Sequence, residues 1–330
     1  MSSFPAQHHQ PDVLDETDLA GADPARTAGA EGAVLVPDGS TLLRGLVREA
    51  RPKQWIKNLL VLTAPLAAGT IGHTRTLGPV AVAFIAFCLA ASAVYYANDA
   101  LDVEADRIHP TKRHRPIAAG IVPIRVAWVG VAVLAAASIT VAALENGGLV
   151  ALVMVYLAMH LSYSAWFKHV LVVDLALVAG GFLLRAMAGG VAAGIDLSQW
   201  FLLTTAFGSL FMVAGKRFSE MILMGESASA TRRSLAMYTA SYLRFIWQTM
   251  AGLAILTYSL WAFDLDRTAH GVHWHEISIV AWSFLFLRYA MFVDEGKAGE
   301  PEDVVLGDRV IMAIGAAWLV LFAIGVFNGH

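Results

Sequence analysis

The sequence predicts an all-α polytopic membrane protein of nine transmembrane helices. Three observations carry that expectation. Hydrophobic residues make up 57% of the 330 and charged residues only 15%, more apolar material than one soluble core of this length can bury. Mean hydropathy is +0.61. Apolar stretches long enough to cross a bilayer, each roughly 17–25 residues, recur at 55–72, 77–97, 123–144, 147–166, 170–193, 198–216, 240–263, 275–293 and 306–327.

Each segment is bounded by its chemistry. Residues 1–42 carry Asp12, Asp15, Glu16, Asp18, Asp23, Glu31 and Asp38 against Arg26 alone, without an apolar period, and are expected to be a disordered acidic cytoplasmic tail. Residues 43–330 are expected to form the membrane domain. No basic segment followed at once by an apolar run marks a cleaved signal, so the first span is read as internal. Short connectors such as Glu145-Asn146-Gly147-Gly148 fit tight turns, whereas those after the second, sixth and eighth spans are long and polar. Twenty of the 23 Lys and Arg fall on one side of this arrangement; Arg75 and Arg267 lie opposite and Arg185 lies within a span. The bias of basic residues toward the cytoplasm places the N-terminus and long loops inside and the C-terminus outside. A single cysteine, Cys88, excludes a disulfide framework and a thiolate metal site. Nothing in the pattern points to nucleic acid, and a homo-oligomer stays open.

The informative stretch is Asn98 to Gly120, NDALDVEADRIHPTKRHRPIAAG. Asp99, Asp102 and Asp106 are spaced i, i+3, i+7 and share one stripe if the second span continues as a helix. Hard oxygen ligands without His or Cys suit Mg²⁺, which takes one or two carboxylates together with substrate phosphates. Asn98 is placed to orient Asp102 or a phosphate, and Arg107, Lys112, Arg113 and Arg115 supply donors for anionic oxygens. The alternative is a solvated loop whose acids and bases pair with one another or with headgroups.

This stretch resembles the first aspartate-rich motif of the UbiA superfamily of intramembrane prenyltransferases, Asn-Asp-x-x-Asp-x-x-x-Asp followed by a basic Arg-Pro segment. The resemblance implies that Asp99, Asp102 and Asp106 hold Mg²⁺ and a diphosphate at the cytoplasmic side of a UbiA-like bundle, and it extends over roughly 43–330. Members that prenylate aromatic acceptors carry a second acidic motif after the sixth span. Here the corresponding stretch reads AGKRFSEM, with Lys216 and Arg217 where acids are expected and Glu220 the only carboxylate. Together with RPKQWIKN, which contains Lys53, Lys57 and Asn58, and Arg185 in GGFLLRAMAGG, this resembles an actinobacterial branch. The branch transfers phosphoribose from phosphoribosyl pyrophosphate to a polyprenyl phosphate, and its product feeds cell-wall arabinan synthesis.

Charge counting points the same way. Such a reaction brings three phosphoryl centres to one mouth, and Lys53, Lys57, Arg115, Lys168, Lys216 and Arg217 all lie at cytoplasmic ends of expected helices. Against substrate binding stands headgroup anchoring for Lys53, Lys57, Lys216 and Arg217, and belt anchoring for Tyr163. Arg185, mid-span, is expected in the bundle interior, either at the site or paired with Asp174 or a backbone carbonyl. Glu302, Asp303 and Asp308 are expected in an ordinary loop and helix start, with a lid as the other reading. For His270, His273 and His275 at the outer end a metal is the other reading, but no partner acids support it and they are expected to be solvent-exposed. Two other functions compete: joining a prenyl diphosphate to an aromatic or lipid-soluble acceptor, and transport.

Overall fold

The computed structural model describes residues 39–224, 238–268 and 271–328. Residues 1–38, which hold most of the expected tail, and His270 lie outside the described residues. Every regular element described is helical, as expected. They are α1 (Gly39–Glu49), a 3₁₀ segment (Pro52–Leu62), α2 (Thr63–Ala67), α3 (Thr74–Leu101), α4 (Val103–Ile108), α5 (Ile124–Ala143), α6 (Gly147–Ala165), α7 (Val173–Ala192), α8 (Gln199–Met224), α9 (Ala240–Leu265), α10 (Trp274–Asp294), α11 (Pro301–Gly307) and α12 (Arg309–Asn328), with three short 3₁₀ turns between them.

Six helices, α3, α5, α6, α7, α10 and α12, are long and apolar enough to cross a membrane among the described residues. The chain is therefore a multi-pass membrane protein. Helices α8 and α9, with 26 residues each, span about 39 Å at ~1.5 Å per residue. Their composition is more polar: α8 carries Lys216, Arg217 and Glu220 toward its end.

The first expected span, 55–72, is not a continuous α-helix. Its chain runs as 3₁₀ from Pro52 to Leu62 and adds only a short α-turn through Ala67. Pro65 is the physical reason, because it has no N–H to return to the Val61 carbonyl. That carbonyl points at Gly189 of α7, where a Cβ would lie only 1.7 Å from Val61 O. Gly189→Ala must push the broken segment off α7. We expect it to cost about 3 kcal/mol, read as a lower melting temperature and a collapsed yield of monodisperse protein.

Helix α3 is the central post. It packs on α5, α6, α7 and the 3₁₀ segment, and Ala83, Ala86, Ala90, Ala93 and Ala97 are fully buried along it. These small side chains let neighbouring backbones approach closely, which in lipid replaces the hydrophobic drive of a soluble core. A second core joins α8, α9, α10 and α12 through Phe211, Phe286 and Tyr289. Between the two halves lies a cavity of about 1860 Å³.

At the far end of α9 the sequence expectation of exposed histidines holds only in part. His273 is exposed, but His275 is 4% exposed and bonds to the equally buried Asp266. The helical turn that opens α10 folds His275 inward against Phe322 and Gly325.

Candidate functional site

The aspartate stripe forms where α3 ends. Asp102 terminates α3, and α4 begins at Val103, yet the Asp102 N–H still reaches Asn98 O and the Asp106 N–H reaches Asp102 O. Helical spacing thus survives the break. Asp99 and Asp106 are buried, while Asp102 is half-buried.

Each carboxylate meets a cation from another part of the chain. Arg115 Nη1 donates to Asp99 Oδ1 at 3.0 Å and to Asp106 Oδ2 at 2.6 Å. Arg51 pairs with the other Asp99 oxygen, and Lys168, just beyond α6, pairs with Asp102. Ser164 donates to Asn98 Oδ1 at 3.2 Å, fixing that amide beside Asp99. Arg115 is anchored by Ile117, two residues on, which is buried against Tyr96 and Val103.

Arg51 and Glu49 escape sequence reasoning. Arg51 has φ 51° and ψ 58°, left-handed values that non-glycine residues seldom adopt. The conformation is held from α3: Tyr96 donates to Leu46 O, Ser92 donates to Ala50 O, and Trp55 donates to Ser92. These bonds pin the end of α1 and the turn after it to α3, and the turn swings the Arg51 guanidinium over Tyr95 and onto Asp99. The Arg-Pro pair at 51–52 is the one signal for it, since a residue before proline avoids the right-handed helix. Glu49 lies 1% exposed beside Asp99. Burial first, then the adjacent Asp99 carboxylate, push its acid up to about 8.

A second group faces the first across the cavity. Arg217 is 4% exposed, lies 3.5 Å from Asp174 Oδ2 and reaches Tyr163 Oη at 3.5 Å. Its Nη1 has no hydrogen-bond partner among the described residues, with Glu220 at 3.9 Å. Tyr238 donates to Asp174, so that carboxylate is held from both sides. Lys216 Nζ is 3.2 Å from Glu300 and 3.9 Å from Glu220. Lys57 is 3.6 Å from Glu302 on α11, which lies over the mouth of the cavity rather than away from it.

Of the residues expected at the site, Asn98, Asp102, Asp106, Lys57, Lys112, Arg115, Tyr163, Lys168, Lys216 and Arg217 all line this cavity. Four do not. Lys53 is exposed on the 3₁₀ segment and away from the cavity lining. Arg107 pairs with Glu104 one turn away on the exposed face of α4, because the stripe that carries Asp106 turns its neighbour outward. Asn58 and Arg185 form an interior knot instead. Arg185 Nε donates to Asn58 Oδ1 at 2.7 Å, its Nη1 to Gly181 O at 2.8 Å and its Nη2 to Tyr156 Oη at 2.7 Å, while Asn58 Nδ2 donates to Cys88 Sγ. The carbonyl pairing is thus the one found, and Asp174 belongs to Arg217. Arg185→Met should leave two buried oxygens without a donor, costing about 1–3 kcal/mol each. We expect a lower melting temperature with turnover per folded molecule nearly unchanged.

Beyond the charged mouth the cavity is walled by Phe201, Trp261, Trp282, Trp318, Phe322 and Val326. One end therefore suits phosphoryl oxygens and the other an aliphatic chain.

A profile of the UbiA prenyltransferase family matches residues 59–304. The chain belongs to the UbiA prenyltransferase family. Among relatives in the family, it is 46% identical to the decaprenyl-phosphate phosphoribosyltransferase of Corynebacterium glutamicum over 99% of this chain and 98% of that protein. It is 47% identical to the enzyme of the same name from Mycobacterium tuberculosis over 90% of this chain and 99% of that one. The fold is similar to that of a UbiA homolog from Archaeoglobus fulgidus bound to GPP and Mg²⁺, with a TM-score of 0.66 at 15% identity, covering 86% of this chain and 99% of that one. A second structure of an A. fulgidus UbiA homolog, bound to Cd²⁺, matches with a TM-score of 0.63.

Proposed function

We propose that this UbiA-family protein transfers the 5-phosphoribosyl group of phosphoribosyl pyrophosphate to a polyprenyl phosphate such as decaprenyl phosphate, with release of pyrophosphate, and that the phosphoribosyl lipid so formed is a precursor for cell-wall arabinan synthesis. The observation that carries the reading is the mouth: Arg51, Lys57, Lys112, Arg115, Lys168, Lys216 and Arg217 all border a cavity whose remainder is apolar and aromatic. A neutral aromatic acceptor has no use for so many fixed cations, whereas a phosphorylated lipid and a sugar bearing phosphate and pyrophosphate do.

The donor set fits a divalent ion. Asp99 and Asp106 direct one oxygen each at the same Arg115 nitrogen, the place a shared cation takes between two carboxylates, and Mg²⁺ commonly keeps one or two carboxylates and fills its shell with water and phosphate. Asp102 stands apart on Lys168. When bound, such an ion neutralises charge on departing pyrophosphate. The chain's own residues do the rest. Arg115, Arg51 and Lys168 are each roughly a quarter exposed and border the cavity, so their donors can serve phosphate oxygens as well as the carboxylates. Arg217 and Lys216 offer donors on the opposite wall. The bond from the anomeric carbon to pyrophosphate breaks as the bond to the lipid phosphate oxygen forms, with inversion expected for a single displacement. A phosphate monoester has its second ionisation near pH ~6, so it arrives as a nucleophile and needs no base. Binding and orientation by these cations supply the catalysis.

We assign the site to the cytoplasmic side of a bacterial cell membrane, with the N-terminus inside, the C-terminus outside and nine spans, α8, α9 and the broken first segment joining the six apolar helices. The bias of basic residues supports that orientation. Purified protein given labelled phosphoribosyl pyrophosphate, decaprenyl phosphate and Mg²⁺ should yield labelled lipid. Prenylation of an aromatic acid from a prenyl diphosphate, with no labelled lipid, would overturn the proposal. Chelation of divalent ions should abolish transfer, and added Mg²⁺ should restore it, followed by release of pyrophosphate.

A further inference from the structure

One wall of the cavity carries a hydroxyl that no other described residue engages. Tyr289, on α10, is 4% exposed and lines the cavity, and its Oη is buried without a hydrogen-bond partner among the described residues. A buried hydroxyl with nothing to receive its proton is costly, and few polar groups in native proteins are left so. Glu302 lies within electrostatic reach of it, but that carboxylate is drawn to Lys57, 3.6 Å away.

The packing of α10 on α8 sets the depth of this hydroxyl. Val293 lies against Gly215, where a Cβ would come within 2.9 Å of Val293 Cγ2, and Ser219 Oγ donates to Val293 O at 3.3 Å. One turn before Val293, the Tyr289 ring meets Phe211 edge-on with centroids 5.6 Å apart. Along α8, Phe211 precedes the cation Arg217 by six residues, about 9 Å at ~1.5 Å per residue. Along α10, Trp282 of the aromatic wall precedes Tyr289 by seven residues, about 10 Å at the same ~1.5 Å rise. Trp282, Phe286 and Tyr289 are spaced i, i+4, i+7 on one helix face, and all three line the cavity. Tyr289 therefore stands where the cationic mouth gives way to the apolar wall.

We propose that Tyr289 positions the acceptor, its phenol donating a hydrogen bond to a phosphate oxygen of the polyprenyl phosphate where that head joins its tail. The inference rests on the phosphoribosyl-transfer reading and names a residue for the lipid, whose tail follows the aromatic wall while its phosphate turns toward the donor at the mouth. A neutral donor suits that place, because it orients the phosphate without cancelling the charge that makes it a nucleophile. Since the hydroxyl has no protein partner at rest, the bond to phosphate displaces no existing contact. A donor fixed for a phosphate also discriminates against the free polyprenol, which offers no such oxygen.

Tyr289→Phe removes one oxygen and keeps the ring against Phe211. It is expected to raise KM for decaprenyl phosphate about tenfold or more, the scale of one hydrogen bond to a charged group, with KM for phosphoribosyl pyrophosphate unchanged. Loss of an unpartnered hydroxyl should leave the melting temperature equal or higher. Binding of labelled decaprenyl phosphate and of labelled decaprenol to the full-length protein in detergent, without donor, separates this role from the reaction. The wild type should prefer the phosphate, and Tyr289→Phe should reduce that preference about tenfold through the phosphate alone. Unchanged binding of decaprenyl phosphate overturns the proposal, as does equal weakening for both lipids, which is the mark of packing. A lower melting temperature overturns it by giving the hydroxyl a partner at rest, and a raised donor KM with the acceptor KM unmoved overturns it by placing the hydroxyl on the sugar. If the wild type forms no phosphoribosyl lipid while the binding difference holds, the reaction assigned above fails and Tyr289 remains a lipid-phosphate contact.

Discussion

Asp99→Asn is expected to lower kcat for phosphoribosyl transfer at least 10³-fold while the protein still inserts and runs as a single species in detergent. The amide keeps the shape of the side chain and removes the charge that Arg51 and Arg115 share. Both arginines are about a quarter exposed, so water can solvate them once the carboxylate is gone, and the large penalty of a stranded buried charge does not arise. What is lost is a ligand that a divalent ion would share with Asp106, and with it the neutralisation of the leaving group. A 10³-fold loss corresponds to about 4 kcal/mol at ~1.36 kcal/mol per decade, within the range of removing one preorganised electrostatic contact from a reacting centre. Asp106→Asn should behave alike, because it completes the same bridge through Arg115 Nη1. Asp102→Asn should be milder, about 10–100-fold, since that carboxylate is half-exposed and stands on Lys168. Activity within threefold of the wild type for Asp99→Asn, by labelled-lipid formation on size-exclusion-matched samples, would remove the carboxylates from the chemistry.

How far the sequence reached follows from which interactions are local. The aspartate stripe was readable because hydrogen bonds preserve helical spacing from Asn98 to Asp106 even across the break at Asp102. The Arg115 partnership lies within the same quoted stretch. Arg51 was not readable, for its contact with Asp99 spans 48 residues and depends on a left-handed turn braced by Tyr96 and Ser92. Glu49 was hidden for a similar reason: an acidic residue at the end of an amphipathic helix reads as solvated until tertiary packing buries it. The broken first span was misjudged by treating an apolar run as a helix, although Pro52 and Pro65 were in plain view. Arg185 was correctly expected inside the bundle, but hydropathy cannot distinguish a guanidinium facing substrate from one satisfied by Asn58, Tyr156 and Gly181. His275 was expected outside because three histidines near a helix start look polar, and only the fold brings Asp266 to one of them.

The second large effect is expected at Lys216 and Arg217. Arg217→Lys should cut kcat/KM for phosphoribosyl pyrophosphate about 100-fold, or about 2.7 kcal/mol. Lysine keeps the charge beside Asp174, 3.5 Å away in the native protein, and so avoids stranding a carboxylate that is 1% exposed. It cannot keep the fork. Arg217 lines the cavity, and its buried Nη1 has no hydrogen-bond partner among the described residues, with Glu220 3.9 Å away, so a planar guanidinium there is placed to grip two oxygens of one phosphate, which a single ammonium cannot do. Lys216→Ala removes a half-exposed charge now shared between Glu300 and Glu220, and should raise the donor KM about tenfold with kcat nearly unchanged. Added Mg²⁺ should rescue neither variant, because these cations act on oxygens that an ion at Asp99 and Asp106 does not reach. Rescue by Mg²⁺ would mean instead that this wall serves a second metal. Wild-type kinetics in both variants would break the link between a basic second motif and a phosphorylated acceptor, since that link requires these two side chains to touch phosphate.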